Sequence, residues 1–183
     1  MHERAAPVAG NLGRMQAHRS LDDGQVRLRP AAEGDFSFLR RLFDEPAVLV
    51  HWGGVAFTDT EIRRKYLGAR SPLVECFIVE AADRPVGLAQ HHSVAGEHGG
   101  GMDMVLLPGN RGQGVGTAAV QLLATFVRDE LGWRRFTVDP DVSNARGVSF
   151  WRSVGFVPVE LVDADPDREP FWRMEWHPGA ERL

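Results

Sequence analysis

Two periods of apolar residues run along this chain, and the points where the period changes divide it into predicted strands and helices. Val26–Arg29 alternates apolar with charged residues and stops before Pro30, which predicts a half-buried strand. Helical spacing follows, so we expect an amphipathic helix that begins at Glu33 or Asp35 and ends near Pro46. Its apolar residues are Phe36, Leu39, Leu42 and Phe43.

The same two periods predict the remaining elements. In chain order we expect a short helix, a hairpin, a central strand after a polar turn, a long helix, a strand, a helix and a final antiparallel pair. Their bounds are Glu61–Leu67, Glu75–Glu80 with Pro85–His92, the run after the turn Val94–Gly101, Thr117–Leu131, Arg135–Val138, Ser143–Val154, and Val157–Val162 with Phe171–Trp176. This order, with one strand–helix–strand unit at its centre, predicts an α/β fold with a mixed sheet and helices on both faces.

Length and composition indicate one domain. Residues 1–24 are polar and without period, so we expect a flexible N-terminal arm, then a single domain over 25–178 and a tail over 179–183. Hydrophobic residues at 43% and charged residues at 25% are typical of a globular protein, and 183 residues suffice for a core. No apolar run reaches the roughly 18 residues that span a bilayer. Because Cys76 is the single cysteine, no internal disulfide is possible, and a cytoplasmic protein is expected.

The charge balance restricts the partners. Lys and Arg total 21 against 25 Asp and Glu, a formal charge of -4 with a pI near 6.0. Nucleic-acid binding needs clustered cations, so this balance argues against it. It is compatible with a cationic small molecule.

The chemistry is concentrated in Gly100–Thr117, which reads GGMDMVLLPGNRGQGVGT. An apolar strand interrupted by Asp103 leads into a glycine-rich turn and then into a helix. The unpaired N–H groups of a first helical turn attract anions, and glycines let a phosphate approach the backbone. We therefore expect a pyrophosphate site beside a strand that carries a carboxylate.

Spacing distinguishes three kinds of phosphate loop. No Lys follows Gly114, so a P-loop is excluded. A dinucleotide fingerprint would place a third glycine at Thr117 and an almost purely apolar strand where Asp103 stands. The remaining pattern, R-x-x-G-x-G over Arg111–Gly116, resembles the pyrophosphate loop of the GNAT acyltransferases, which bind acetyl-coenzyme A. A glycine-rich turn that only caps a helix is the structural alternative.

A second motif strengthens this resemblance. Asp139–Phe156 contains Asn144, Trp151 and the pair Gly155–Phe156 at the intervals of the last motif of the GNAT family. In physical terms Ser143 or Asn144 caps a helix and Gly155 supplies its left-handed stop. The family usually has Tyr where this chain has Trp151, and an indole does not give up its proton near neutral pH. The only tyrosine, Tyr66, is distant in sequence, so the acid that would protonate the leaving thiolate is unassigned.

Within that family the chain is most similar to the aminoglycoside 6′-N-acetyltransferases. The stretches that carry this likeness are His51–Gly54, Lys65–Leu67, Pro85–Gln90, Gly101–Asp103 and Asp139–Asn144. The resemblance implies that Asp103 is the base and that Asp139 contacts substrate amines. Only the free base of an amine attacks a thioester, and a carboxylate that accepts its proton raises the rate roughly 10²–10⁴-fold. A structural alternative for Asp103 is an ion pair with an arginine of the fold.

The resemblance also implies the other site residues. The backbone N–H of Val105 or Leu106 is the expected donor to the thioester oxygen, and a splayed strand there would pair with the pantetheine arm. Coenzyme A would contact Val105, Leu106, Arg111, Gly112, Gln113, Gly114, Val115, Gly116, Thr117, Asn144 and Trp151. The substrate would contact Trp52, Gln90, Glu97, Asp103 and Asp139.

Weaker signals concern the substrate and metals. Acidic residues cluster at Asp163, Asp165, Asp167 and Glu169, as a cation-attracting loop or simply a solvated one. His91 and His92 are adjacent in a strand and point to opposite faces, so they form no chelate, and no metal site is expected.

These observations predict acetyl transfer from acetyl-coenzyme A to a primary amine of an aminoglycoside, by a monomer or homodimer. One alternative is acylation of another amine, such as a lysine-type siderophore precursor or a protein N-terminus. Those relatives tend to have a His near the base, whereas Met102 and Met104 flank Asp103 here. The other alternative is a coenzyme A-binding module without catalysis.

Overall fold

A mixed eight-stranded sheet forms the centre of the molecule. A computed structural model describes residues 19–94, 97–166 and 168–176. The strand order is β1-β2-β3-β4-β5-β6-β8-β7, in which only β5 and β6 pair in parallel. The strands are β1 (Leu21–Asp22), β2 (Val26–Pro30), β3 (Val74–Ala81), β4 (Arg84–Ser93), β5 (Gly99–Leu106), β6 (Arg135–Val138), β7 (Phe156–Val162) and β8 (Phe171–Trp176).

Helices cover both faces of this sheet, as the sequence predicts. They are α1 (Phe36–Asp44), α2 (Pro46–Leu49), α3 (Asp59–Tyr66), α4 (Val115–Asp129) and α5 (Ala145–Ser153). The first three pack with Ile78 and Val105 in one apolar cluster, and the last two pack with Phe77 and Met102 in the other. Strand side chains alternate between faces, so β5 serves both clusters and places Asp103 on the α1–α3 side.

Most predicted elements lie within a few residues of their observed bounds, and the differences have local causes. Strand β1 lies inside the segment predicted to be a flexible arm, and residues 1–18 of that arm lie outside the described residues. Pro46 ends α1 as expected, but it also opens α2, where the missing N–H of a proline costs nothing. Both missed elements are too short for an apolar period to repeat, since β1 has two residues and α2 has four.

Strands β5 and β6 diverge soon after they meet. Their pairing covers only Gly99–Gly101 against Arg135–Thr137, whereas β4 pairs with β5 as far as Leu106. The β5 backbone from Met102 to Leu106 therefore has a strand on one side only. This gap is the feature around which the candidate site is built.

No helix among the described residues combines the length and the apolar character needed to cross a membrane.

Candidate active site

A row of polar side chains crosses three strands on the α1–α3 face. Strand register places Cys76 of β3 opposite Gln90 of β4, and Gln90 opposite Asp103 of β5. The Gln90 Nε2 group donates a hydrogen bond of 2.7 Å to Asp103 Oδ2. Its Oε1 atom accepts from Arg70 Nη2 at 3.2 Å and from the Cys76 thiol at 3.4 Å. The expected substrate contact Gln90 is thus buried and engaged with protein partners on both sides.

The Asp103 carboxylate is accessible and has no basic partner of the arginine type. Its side chain is 47% exposed, and no arginine or lysine among the described residues lies within ion-pair distance. Among the described residues, the ion-pair candidate for Asp103 is the imidazole of His92, with 4.0 Å between His92 Nδ1 and Asp103 Oδ2. The alternative of a structural ion pair with an arginine is therefore not what the fold provides.

Gly101 creates the room for this imidazole. A Cβ on Gly101 would lie 2.5 Å from the Cε1 atom of His92, so only a glycine lets the ring lie across β5. His91 points to the opposite face, where it is buried and bonded to Glu75 Oε2 at 3.2 Å. The prediction that the two histidines face opposite sides is confirmed. No group of metal-ligating side chains is assembled within the described residues.

A second carboxylate, Asp139, follows the end of β6 on the far side of the gap. Burial raises its pKa, the arginines Arg168 and Arg173 oppose that rise, and the negative charge of Asp103 adds to it. Burial also raises the pKa of the neighbouring Asp141, and the charge of Arg168 only partly opposes this rise. Asp103, on β5, and Asp139, directly after β6, thus lie on opposite sides of the gap.

Arg168 supplies the positive charge beside the carboxylates of Asp139 and Asp141. Its Nη2 donates to the Asp139 carbonyl oxygen at 2.8 Å, and its guanidinium lies 3.6 Å from the centroid of the Phe171 ring. The Asp139 and Asp141 carboxylates lie 4.0 and 3.8 Å from its nitrogens. Two carboxylates, a carbonyl and an aromatic face therefore surround the guanidinium of Arg168, so this chain fills the cation position with its own side chain.

Trp52, another expected substrate contact, anchors its loop to the fold. Its indole donates to the hydroxyl of Tyr66 at 2.8 Å, and both rings pack against Phe43. Burial raises the pKa of Tyr66 to about 12, the hydrogen bond from Trp52 opposes this, and the charge of Asp103 adds to it. The tyrosine that is distant in sequence therefore lies on the same face of the sheet as Asp103, and it keeps its proton at neutral pH.

The direction of the β5 backbone groups decides which of the two expected N–H donors, that of Val105 or that of Leu106, faces the gap. Leu107 N donates to the Val86 carbonyl on β4 at 2.9 Å, and strand groups alternate in direction, so the N–H of Val105 also faces β4. The groups of Leu106 point the other way, since its carbonyl accepts from Arg111 Nε at 2.9 Å. Of the two residues named from the sequence, Leu106 presents its N–H to the gap, together with Met104.

The glycine-rich turn has the geometry of an anion site. Gly112 and Gly114 have φ of +75° and +82°, and no atom lies within 4 Å of a Cβ built on either residue. Gly114 caps α4, whose first bonded N–H is that of Ala118, at 3.0 Å from the Gly114 carbonyl. The N–H groups of Val115, Gly116 and Thr117 precede that bond, at the positive end of a helix of 15 residues.

The side chains of this turn brace it. Arg111 Nη2 donates to the Ala47 carbonyl at 3.2 Å, so its guanidinium joins the turn to α2, and burial lowers its pKa. Gln113 Nε2 donates to the Gly109 carbonyl at 2.7 Å. Because both side chains bond within the protein, the predicted contact with coenzyme A would be made by the backbone of Arg111 and Gln113.

The second motif forms the N-terminus and the packed face of α5. Asn144 caps the helix, with its Oδ1 accepting from the Gly147 N–H at 2.9 Å, while its Nδ2 makes no hydrogen bond within the described chain. Trp151 is buried against Phe150 and Phe156. Gly155 has φ of +102° and ends the helix as predicted.

Glu97 lies apart from Asp139, another acidic residue expected to contact the substrate. It lies within 3.5 Å of Arg135 at the start of β6, whereas Asp139 follows the end of that strand. In the acidic run, Glu169 accepts from the Ser143 hydroxyl at 2.7 Å, and Asp167 lies outside the described residues.

Cys76 provides a test of the buried row. Burial raises the pKa of its thiol to about 11, so the thiolate that reacts with disulfide reagents is almost absent at neutral pH. We expect no labelling of the folded protein at pH 7.5 and one labelled thiol per chain after denaturation, measured by absorbance with an aromatic disulfide reagent. Rapid stoichiometric labelling of the native protein would show that the row is open to solvent.

Sequence reasoning missed Arg70, His92 and Arg168. The first two reach Gln90 and Asp103 only through strand register and the end of α3, which no short-range pattern reports. Arg168 lies in the acidic run, where a single arginine among four carboxylates has no pattern that indicates a site.

Comparisons with known proteins give a family and a fold. Residues 25–157 match the model of the Acetyltransferase (GNAT) domain. No protein in a search of curated sequences matches the chain.

Several solved structures have the same fold. Aminoglycoside acetyltransferase AAC(6')-Ib in complex with paromomycin and acetyl-coenzyme A superposes with a TM-score of 0.74 at 24% identity, over 84% of this chain and 93% of that one. Spermidine N-acetyltransferase from Vibrio cholerae, with coenzyme A and spermine, gives 0.73 at 18% identity over 85% and 96%. The ribosomal L7/L12 α-N-protein acetyltransferase RimL gives 0.76 at 14% identity over 87% and 94%.

Proposed function

Because this chain belongs to the GNAT family and is therefore an acetyl-coenzyme A-dependent N-acetyltransferase, we propose that its acceptor is a primary amine on a small cationic substrate, first of all the 6′-amine of an aminoglycoside. The observation that carries this proposal is the pair Asp103 and Asp139, two carboxylates that lie on opposite sides of the β5–β6 gap, one on β5 and one directly after β6. In this proposal Asp103 faces the reacting amine, and Asp139 attracts a second positive charge of the substrate in competition with Arg168, which lies 4.0 Å away.

The open edge of β5 and the turn before α4 support a binding mode for the acetyl donor. The diphosphate of coenzyme A is held by the N–H groups of Val115, Gly116 and Thr117, where the helix dipole favours negative charge. The pantetheine arm lies in the gap and bonds to the β5 edge as an added strand would. The Leu106 N–H then serves the thioester oxygen, which becomes negative as the amine attacks.

Asp103 performs the proton chemistry in this proposal. Gln90 occupies one carboxylate oxygen, and Asp103 Oδ1 has no hydrogen-bond donor among the described residues, so it can accept a proton from the substrate ammonium, directly or through water. The neutral amine attacks the carbonyl carbon, the C–N bond forms and the C–S bond breaks, and the second proton of the nitrogen passes to water as the amide forms. The coenzyme leaves as its thiolate, which needs no acid because a thiol of this kind has a pKa of roughly 8.5.

The position of His92 favours a second acceptor class. Relatives that acylate lysine-type siderophore precursors tend to have a histidine near the base, and β4 brings His92 to 4.0 Å from Asp103. Spermidine N-acetyltransferase, which has the same fold, was solved with spermine, a linear polyamine. A flexible alkylamine is therefore the alternative acceptor.

A thiol-release assay on acetyl-coenzyme A tests the proposal. The panel contains two aminoglycosides that differ only in an amine or a hydroxyl at the 6′ position, spermidine, a lysine derivative and a peptide with a free N-terminus. We expect release with the 6′-amino compound at a kcat/KM at least tenfold above that of its 6′-hydroxyl partner. A preference for spermidine or lysine would transfer the proposal to the second class, and no release with any amine would leave a coenzyme A-binding module.

A further inference from the structure

Two residues outside the reacting groups hold the candidate base. We propose that Arg70 and Gln90 are positioning residues that fix the Asp103 carboxylate, with Arg70 acting through the orientation of the Gln90 amide. This inference rests on the proposed function, in which Asp103 accepts the proton of the amine. It assigns Gln90 a different role from the substrate contact expected from the sequence.

The amide of Gln90 has one workable orientation. Its oxygen faces two donors, the Arg70 guanidinium at 3.2 Å and the Cys76 thiol at 3.4 Å, and its nitrogen faces the Asp103 carboxylate at 2.7 Å. The reversed amide would set N–H against N–H on one side and oxygen against oxygen on the other. A cation at one end and an anion at the other therefore align the amide dipole.

Arg70 is itself held in place. Its Nε and Nη2 groups donate to the Lys65 carbonyl at 3.1 and 2.8 Å, in the last turn of α3. The same Nη2 reaches Gln90, which is buried to 8% exposure. The end of α3 thus sets the position of the guanidinium, the guanidinium sets the amide, and the amide sets the carboxylate.

Placing a neutral amide between the two charges has a chemical advantage. An arginine in direct contact with a carboxylate stabilises its charged form and so weakens it as a proton acceptor. The Gln90 amide instead fixes one oxygen of Asp103 with a neutral donor and leaves the other oxygen free. The chain consequently orients its base without neutralising it.

A double-mutant cycle on the full-length protein tests this order of action. We expect Arg70→Met and Gln90→Met each to lower kcat about tenfold or more, with the KM for acetyl-coenzyme A within about twofold, because misplacement of a catalytic group by 1 Å is costly. The double variant should be no slower than Gln90→Met alone, since Arg70 has nothing left to orient. Arg70→Lys, which keeps a donor, should recover part of the activity.

Arg40→Met is the matched control. Arg40 also donates to a backbone carbonyl, that of Phe57, and packs on the same face, but it makes no contact with Gln90. Its effect should therefore multiply with that of Gln90→Met, and thermal melts of all variants identify any loss that is only loss of folded protein.

The outcomes separate this inference from the proposed function. The inference would be overturned if the kcat loss of the double variant equalled the product of the losses in Arg70→Met and Gln90→Met, or if either single variant kept full kcat. The proposed function would still stand in that case, provided that Asp103→Asn had lost its activity. Full activity of Asp103→Asn would overturn the role of Asp103 as base, and the positioning role with it.

Discussion

Replacing Asp103 with asparagine lowers kcat by roughly 10²–10⁴-fold, the usual contribution of a general base. The amide matches the carboxylate in shape, and its oxygen still accepts the hydrogen bond from Gln90, so the site keeps its geometry. What is lost is an atom that takes a proton from the substrate ammonium. Steady-state thiol release at saturating acetyl-coenzyme A measures the effect.

Asp129→Asn is the matched control for that experiment. Asp129 ends α4 and is 52% exposed, close to the 47% of Asp103, but its partner is the neighbouring Arg128. The control should keep the kcat of the unmodified protein. Equal kcat values for the two asparagine variants would remove Asp103 from the chemistry.

Replacing Gly114 with alanine weakens acetyl-coenzyme A binding, and its KM should rise about 10- to 100-fold. The left-handed φ of +82° costs an L-residue roughly 1–2 kcal/mol, and relief of that strain moves the N–H groups of Val115 and Gly116 out of alignment. The Asp103 side of the site is untouched, so kcat should change much less than KM. Kinetics with varied acetyl-coenzyme A give both constants.

Gly109→Ala separates the left-handed geometry from the mere loss of a glycine. Gly109 lies in the same turn, its φ is outside the left-handed region, and a Cβ there has open space around it. Its KM should stay within about twofold of the unmodified protein. Thermal melts with and without coenzyme A give an independent readout, because ligand protection falls as the dissociation constant rises. Equal KM values for the two alanine variants would contradict the role of Gly114.

The sequence predicts the larger elements of this fold because each carries a full apolar period. Strands β6 and β8 have their expected bounds, and α4 is displaced by only two residues, since Gly114 rather than Thr117 marks its start. The order β6-β8-β7 was not predicted. Strand neighbours in a sheet depend on how the loops cross it, and a periodic pattern holds no information on that.

The site was predictable where one residue conflicts with its surroundings. Asp103 is conspicuous because a carboxylate in an apolar strand needs a partner or a task, and the turn because a strand, a glycine-rich loop and a helix N-terminus follow one another there. Its partners could not be found in this way. Gln90 and His92 reach Asp103 through the β4–β5 register, and Arg70 reaches Gln90 through the end of α3. Such relations appear only when the sheet is assembled.

The short β5–β6 pairing affects how the whole sheet can move. Strands β1–β5 form one hydrogen-bonded part of the sheet and β6–β8 form another. The strand pairing that joins them is that of Gly99–Gly101 with Arg135–Thr137. We therefore expect relative motion within the sheet to occur mainly at this short pairing. Asp103, the candidate base, lies on one side of it and Asp139 on the other. A ligand that bonds to both parts of the sheet restrains their relative motion. In this protein, ligand binding should therefore stiffen the sheet and align the two carboxylates at the same time.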